Sequence, residues 1–422
     1  MPGMTMTEKI LAGASGKKIV RPGEIVNARV NALMMTDLKG PYVFKVLEEE
    51  LGTSKIRDGL DVVFVLDHLG PAHDIKSAQQ FKACREAARK YALPHFYDLG
   101  RQGIGHQVMC EDGYVFPGTV VAGIDSHSTT YGALGAVSFG ISPTEGAIIL
   151  ATGELWLKVP ETTRFTVTGN LPRRVSGKDI FLHIIGMTKW NGEVLYKAVE
   201  FTGPAISALS VSDRMAMCNM VAEMGAKNGI IAPDDKTAEY LAGWPEKRYD
   251  AVLSDPDAVY SHEYAVDVSS LSPQVSVPHR IDDVRPVEDV AGRKIDQAFL
   301  GSCTNGRLED LMIAAEILKG RKVHPDVRLI VVPASRKIYL EAVRNGTIEI
   351  LAEAGAAVLT PNCAACAGIG SGNIASGEVC ISSTNRNFEG RMGAKDSEIY
   401  LASPATVAAS AVEGVIADPR KY

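Results

Sequence analysis

Ile295-Asp-Gln-Ala-Phe-Leu-Gly-Ser-Cys-Thr-Asn-Gly-Arg-Leu-Glu-Asp310 passes from an apolar run through a tight turn into an acidic helix start. Ile295 to Leu300 predicts a strand, and Arg307 to Lys319 a helix with Leu308, Leu311, Ala315 and Leu318 on one face. The charges agree with the helix dipole, since Glu309 and Asp310 open the helix and Lys319, Arg321 and Lys322 close it. Two further strands, Val327 to Val332 and Ala356 to Leu359, with Ile338 to Val343 helical between them, complete a βαβαβ pattern. Cys303 follows the first strand and Cys363 the third. Parallel strands end on one edge of their sheet, so Cys303, Cys363 and Cys366 can converge although far apart in the chain.

The first 160 residues alternate apolar β-branched runs with helical patterns, as a parallel sheet with crossover helices requires. Val62 to Leu66 ends at Asp67 and His68; Pro94 to Leu99 leads to His106; Thr119 to Ile124 ends at Asp125, Ser126 and His127. Ligands of open α/β sheets sit at such strand ends. From Glu161 to Asp282 the texture changes, with a helical stretch near Ser212 to Gly225 and a polar region, Pro233 to Pro273, of little periodicity. Ser269 to Arg293, carrying Pro273, Pro278 and Pro286, reads as a connection. A chain of 422 residues exceeds one ordinary core, so the expectation is an α/β fold in three units, 1–160, 161–282 and 283–422.

Bulk properties exclude several classes. A formal net charge of -6 gives no long-range attraction to nucleic acid or anionic lipid, so neither is an expected partner. No run approaches the roughly 18 apolar residues of a membrane span. The apolar run Ile10 to Ala14 is too short for a secretory signal. Seven scattered cysteines, an odd number, read as reduced thiols in a cytoplasmic compartment rather than as a disulfide framework.

Three constellations carry chemistry. The two-residue spacing of Cys363 and Cys366 suits one metal centre, a redox pair or a zinc half-site; no second C-x-x-C or histidine pair completes a four-ligand zinc site. With Cys303 the pair suits a 4Fe-4S cluster with one open iron, able to polarise a substrate hydroxyl and carboxylate. Cys84, Cys110, Cys218 and Cys380 lie in apolar or helical contexts that suit packing. Asp67-His68, His106 and Asp125-Ser-His127 place carboxylates beside imidazoles, which keeps a proton available for a departing hydroxide; hydrogen-bonded structural histidines are the alternative. His73 follows closely enough to share that site. Arg386 and Arg391, in Ser382-Ser-Thr-Asn-Arg-Asn-Phe-Glu-Gly-Arg-Met392, suit bidentate grips on carboxylates, or surface ion pairs.

Four of these pieces, Gly301-Ser-Cys-Thr-Asn305, the C-x-x-C at Cys363, Asn385-Arg-Asn-Phe-Glu-Gly-Arg391 and Asp125-Ser-His127, together resemble the aconitase family along nearly the whole chain. Within it the chain is similar to the large subunits of two-subunit dehydratases. The resemblance implies three α/β/α domains of aconitase type around a central iron-sulfur cluster, without the swivelling fourth domain. It implies a hydro-lyase that removes and re-adds water on a substituted malate, a small di- or tricarboxylic acid. Cys303, Cys363 and Cys366 match the cluster ligands, and His68, paired with Asp67, the acid that protonates the leaving hydroxyl. His106, Asp125 and His127 match groups around the reacting oxygen. Glu223 and Asn219 match a further pair beside the cluster, the first catalytic and the second on the substrate side with Ser126, Arg386 and Arg391.

Two departures from the family pattern stand out. Ala364 and Ala367 occupy positions where the family usually has glycine after the first cysteine and Leu-Gly after the second. The sequence also stops soon after Ala409, which implies that a separate small subunit completes the active site and that this chain alone is nearly inactive. An RNA-binding regulator lacking the cluster is the reading from another class, disfavoured by the acidic balance.

Overall fold

Residues 3–190, 192–245 and 249–422 of this computed structural model are described, so the first two residues of the expected first unit lie outside them. Val-rich runs buried on both faces form parallel strands where helices cover both sides. The first large sheet is of this kind, ordered His95–Tyr97, Asp61–Val65, Ala32–Thr36, Val120–Gly123, Val137–Gly140 and parallel throughout. Alternate residues feed two cores. Met34, Val63, Val65 and Val121 pack with Val108 and Met109, while Leu33, Met35, Phe64 and Ala122 pack with Val43, Leu47 and Phe81. Gly105 starts the helix Gly105–Glu111 directly on this sheet, where a Cβ would stand 2.8 Å from Met34 Sδ and 2.9 Å from Val65 Cγ2. That contact seats His106 against the strand ends.

A second sheet, Asn228–Ile231, Ala198–Thr202, Thr162–Thr168, His262–Asp267, is also wholly parallel. Its last strand falls in the polar region where the sequence shows little periodicity, because it is an edge strand with a single buried residue, Val266. The third sheet has seven strands, in the order Val284–Pro286, Gln274–Ser276, Glu398–Ala402, Val379–Ser382, Gln297–Gly301, Arg328–Val332, Ala357–Val358. The last five run parallel and the first two antiparallel. The stretch expected as a connection therefore lends two short strands to this sheet, with Pro286 on the outermost, where a missing N–H costs no ladder bond.

Main-chain bonds join the first and third sheets at their carboxyl edges. Cys363 N donates to Asp67 O at 2.8 Å, and Ile104 N to Ala334 O at 2.8 Å. Among the described residues no helix is long and apolar enough to cross a membrane.

Candidate active site

Each strand end of the first sheet delivers an acid or an imidazole to one cavity. His68 Nδ1 lies 2.7 Å from Asp67 Oδ1 and 3.3 Å from Asp37 Oδ1, and the backbone N–H of His68 donates to Asp37 Oδ1 at 3.1 Å. Asp67 Oδ2 accepts from Gly105 N at 2.8 Å, which ties the His68 loop to the His106 helix. Asp125 Oδ1 lies 2.9 Å from His106 Nε2 and accepts from His127 N at 2.9 Å, while its Oδ2 stands 3.9 Å from His68 Nε2. Burial alone would raise the Asp125 carboxyl; His106 and His127 outweigh it and hold the group well below the usual range. Burial likewise opposes charge on His68, but Cys363, Asp67 and Asp37 hold its imidazolium well above the ordinary range.

Glu223, in the turn Val221–Met224 that follows the buried helix Val211–Met220, lies 2.8 Å from His127 Nε2 and accepts from Arg386 Nε at 2.8 and 3.0 Å. Arg386 also donates to Ser126 Oγ at 2.9 Å. One continuous chain of charge thus runs from Asp67 through Asp125 to Arg386.

The third sheet supplies the sulfurs. Cys303, Cys363 and Cys366 line the same cavity of about 290 Å³ as Asp67, His68, His106, Asp125, His127, Arg386 and Arg391. Cys303 sits in a short turn that Gly301 opens at φ +151°, where a Cβ would stand 2.5 Å from Val332 O. Two non-glycine residues beside these cysteines adopt left-handed backbone, Ser302 at φ +74° and Ala364 at φ +46°, a strain that a fold sustains only where its surroundings dictate it. Asn219 Nδ2 donates to Cys303 Sγ at 3.2 Å and Asn385 Nδ2 to the same sulfur at 3.5 Å. Arg391 NH2 lies 4.0 Å from Cys366 Sγ, and its buried Nε has no hydrogen-bond partner among the described residues. Burial pushes the Cys363 thiol up to about 12 and the Cys303 thiol higher still.

The residues singled out from the sequence thus stand together around one cavity, with Glu223, Asn219 and Ser126 bonded to its lining. His73 is not in that lining; its ring lies 3.9 Å from Asp74 on the surface. Two further residues take part, Asp37 and Asn385. Asp37 follows the apolar strand Ala32–Thr36 just as Asp67 and Asp125 follow theirs, so the same strand-end signal points to it. Asn385 lies inside the quoted arginine run and carries no signal of its own.

Three convergent sulfurs with amide donors aimed at one of them, walled by imidazoles and guanidinium groups, define an aconitase-type site. The chain belongs to the aconitase family: the profile of that family (aconitate hydratase) matches residues 17–414. Among its relatives, the chain is 49% identical over 420 residues to the 3-isopropylmalate dehydratase large subunit 1 of Methanopyrus kandleri, covering 100% of both chains. It is 50% identical over 419 residues to the 3-isopropylmalate dehydratase large subunit of Moorella thermoacetica, covering 99% of each. Among solved structures, the holo form of Thermococcus kodakaraensis aconitase X matches in fold with a TM-score of 0.51 at 12% identity, over 85% of this chain and 84% of that one.

Proposed function

We propose that this chain is the large, cluster-binding subunit of 3-isopropylmalate dehydratase. The observation that carries the reading is the facing of Asp125 and its three histidines, from one sheet, toward three cysteine sulfurs from another across a single cavity. Relatives about half identical over the full length bear that name.

The donor set suits an iron-sulfur cluster better than zinc. Cys303 does lie within 4.8 Å of ring nitrogens of His106 and His127, but Asp125 engages His106 Nε2 and Glu223 engages His127 Nε2. Bound by Cys303, Cys363 and Cys366, a 4Fe-4S cluster with one iron lacking a protein ligand supplies a Lewis acid for a substrate hydroxyl and carboxylate.

The chain's own groups handle protons and charge. With His68 Nδ1 held by Asp67, the ring's Nε2 faces Asp125 and the cavity, where it hands its proton to the leaving hydroxyl. Asp125, steadied by His106 and His127, receives the departing oxygen's hydrogen bonds and holds water for re-addition. Arg386, Arg391 and Ser126 bind the carboxylates, and Glu223 fixes His127 and Arg386 in place. Asn219, expected from the resemblance on the substrate side, is instead fully buried with its amide engaged by Thr130, Cys303, Thr304 and Asn385, so it holds the cysteine loop rather than a carboxylate. The base that takes the carbon-bound proton belongs to a separate small subunit, as the relatives' designation "large subunit" supports. The reading includes three domains, 1–160, 161–282 and 283–422, and a cytoplasmic location.

Anaerobic reconstitution with iron, sulfide and the cognate small subunit tests this. Turnover of isopropylmalate above methylmalate and homocitrate-derived substrates is the expected result. A clear preference for one of the others reassigns the substrate to a homoaconitase or a methylmalate or dimethylmalate dehydratase. One zinc per chain, with no sulfide bound, overturns the cluster reading.

A further inference from the structure

Beneath the cysteines lies a cation that the chemistry above does not use. Lys178, in the first turn of the helix Gly177–Thr188, is fully buried and reaches from the second sheet's layer into the third. Its ammonium donates to the carbonyl oxygens of Ser383, at 2.6 Å, and Thr384. Those two residues immediately precede Asn385 and Arg386. With its carbonyls held on the far side, this turn presents Asn385 to Cys303 and Arg386 to Glu223.

No carboxylate is ion-paired with Lys178 among the described residues. The nearby acids are bonded elsewhere: Asp179 to Ser176 and to Gln274 N, Asp310 to Asn305 and Arg307 N, and Asp213 to Gly177 N. Arg307 repeats the arrangement under the other loop, donating to the carbonyls of Cys303 at 2.8 Å and Thr304 at 2.6 Å, also without an ion-paired carboxylate. A buried cation held only by peptide carbonyls is costly unless negative charge arrives nearby. After Asp179 and Asp310, the groups whose charge bears on Lys178 are Cys366 and Cys303, which would favour its ammonium once they carry negative charge. Burial pushes the Lys178 ammonium down to about 7 against the opposing pull of these groups, so its charge is poorly compensated in the empty chain.

We infer that Lys178 is a positioning residue of the metal centre: it locks the Ser383–Thr384 turn that presents Asn385 and Arg386, and its charge balances the thiolates when the three cysteines hold iron. This rests on the iron-sulfur reading above. It makes a demand that a purely structural lysine does not: the charge favours the loaded chain and disfavours the empty one.

Lys178→Gln keeps a donor for the carbonyls, one bond shorter, and removes the charge; Lys178→Arg keeps the charge. Both are made in the full chain and assayed, with and without reconstituted iron and sulfide, by thermal melting and by the rate of cluster bleaching under a ferrous chelator. For Lys178→Gln the empty chain melts at or above the wild-type temperature, while the loaded chain loses iron about tenfold faster, the order of effect a unit charge has through a partly polar interior. Lys178→Arg loses iron within about threefold of wild type. Equal iron loss in Lys178→Gln and wild type, or a lower melting temperature for the empty Lys178→Gln chain with unchanged iron retention, overturns the inference. A wild-type chain that takes up no iron and sulfide overturns the cluster reading itself, and this inference with it.

Discussion

The two walls of the cavity differ in how completely they satisfy themselves. On the histidine wall every charge has its partner: Asp67 and Asp37 hold His68, His106 and His127 hold Asp125, and Glu223 is shared between His127 and Arg386. On the cysteine wall burial pushes the Cys303 and Cys363 thiols up, and among the described residues Arg391 Nε is buried without a partner while Lys178 and Arg307 donate to carbonyls with no ion-paired carboxylate. A preorganised network holds its geometry whether or not anything is bound. The other wall is charged to receive something anionic. Acid–base geometry here therefore belongs to the empty protein, while on the cluster reading proposed above the cysteine wall is the side that loading stabilises.

The sharpest break of that contrast is Cys303→Ser. Iron uptake falls to background and turnover with the small subunit is lost, by at least about a thousandfold. Iron and sulfide analysis beside the rate decides it, and full iron content in this variant would show that the cysteine wall is not the seat of the metal. His68→Asn probes the opposite wall. Asn keeps a donor toward Asp67, so iron content stays at the wild-type level while kcat drops about 10²- to 10⁴-fold, the usual worth of a general acid. Iron loss in that variant would mean that the two walls are not independent.

A milder effect is expected beneath the cysteine wall. Desolvation raises the Asp213 carboxyl to about 7, where Gly177 N donates to it at 2.9 Å, and burial raises Asp310 to about 6. A folded chain that holds protons its unfolded form has released is most stable below the ordinary carboxylate range, near 3.8. It loses that stability as pH climbs to about 7. Asp213→Asn keeps the acceptor for Gly177 and removes the titration. Its denaturation midpoint should fall less between pH 5 and 8 than that of wild type, with a gain of about 1–3 kcal/mol at pH 8. This is less than the full shift implies, because Asp213 keeps some solvated surface. An unchanged pH slope would place the acid cluster in contact with water.

Which of these parts a reader of the sequence can find follows from how each is presented. Strand ends followed by Asp, His or Cys show in the pattern itself, because a run of buried β-branched residues that stops at a polar one marks the sheet edge. Cys303, Asp67, His68 and Asp125 are legible on that ground. Glu223 and Asn219 are not, since from Arg214 through Met220 every residue of the helix is buried, Glu223 sits in the turn that follows, and no polar stripe sets the two apart. Only the family resemblance pointed to them. Lys178 and Arg307 escape for a stronger reason: a lysine or arginine in sequence reads as surface, and nothing local says that its partners are carbonyls about 200 residues away or one turn behind it. Short edge strands with one buried residue, such as His262–Asp267, hide in the same way.

Ala364 offers the smallest and most exacting test. It is wholly buried, adopts φ +46° beside Cys363, and donates its N–H to Asn362 Oδ1 at 2.5 Å, in a position where the resemblance leads to an expectation of glycine. Left-handed backbone costs a residue with a Cβ about 1–2 kcal/mol. Ala364→Gly removes that cost, but it loosens the unfolded chain by about 0.5–1 kcal/mol and uncovers a buried methyl worth about 0.8 kcal/mol. These effects nearly cancel, so the denaturation midpoint should move by less than about 1 kcal/mol and iron retention should stay as it is. Such near-neutrality would explain how the chain tolerates alanine where the family resemblance leads to an expectation of glycine. A loss of 2 kcal/mol or more would instead mean that the methyl is packed against the cysteine wall as part of its rigidity, and that this wall is braced before loading as firmly as the histidine wall.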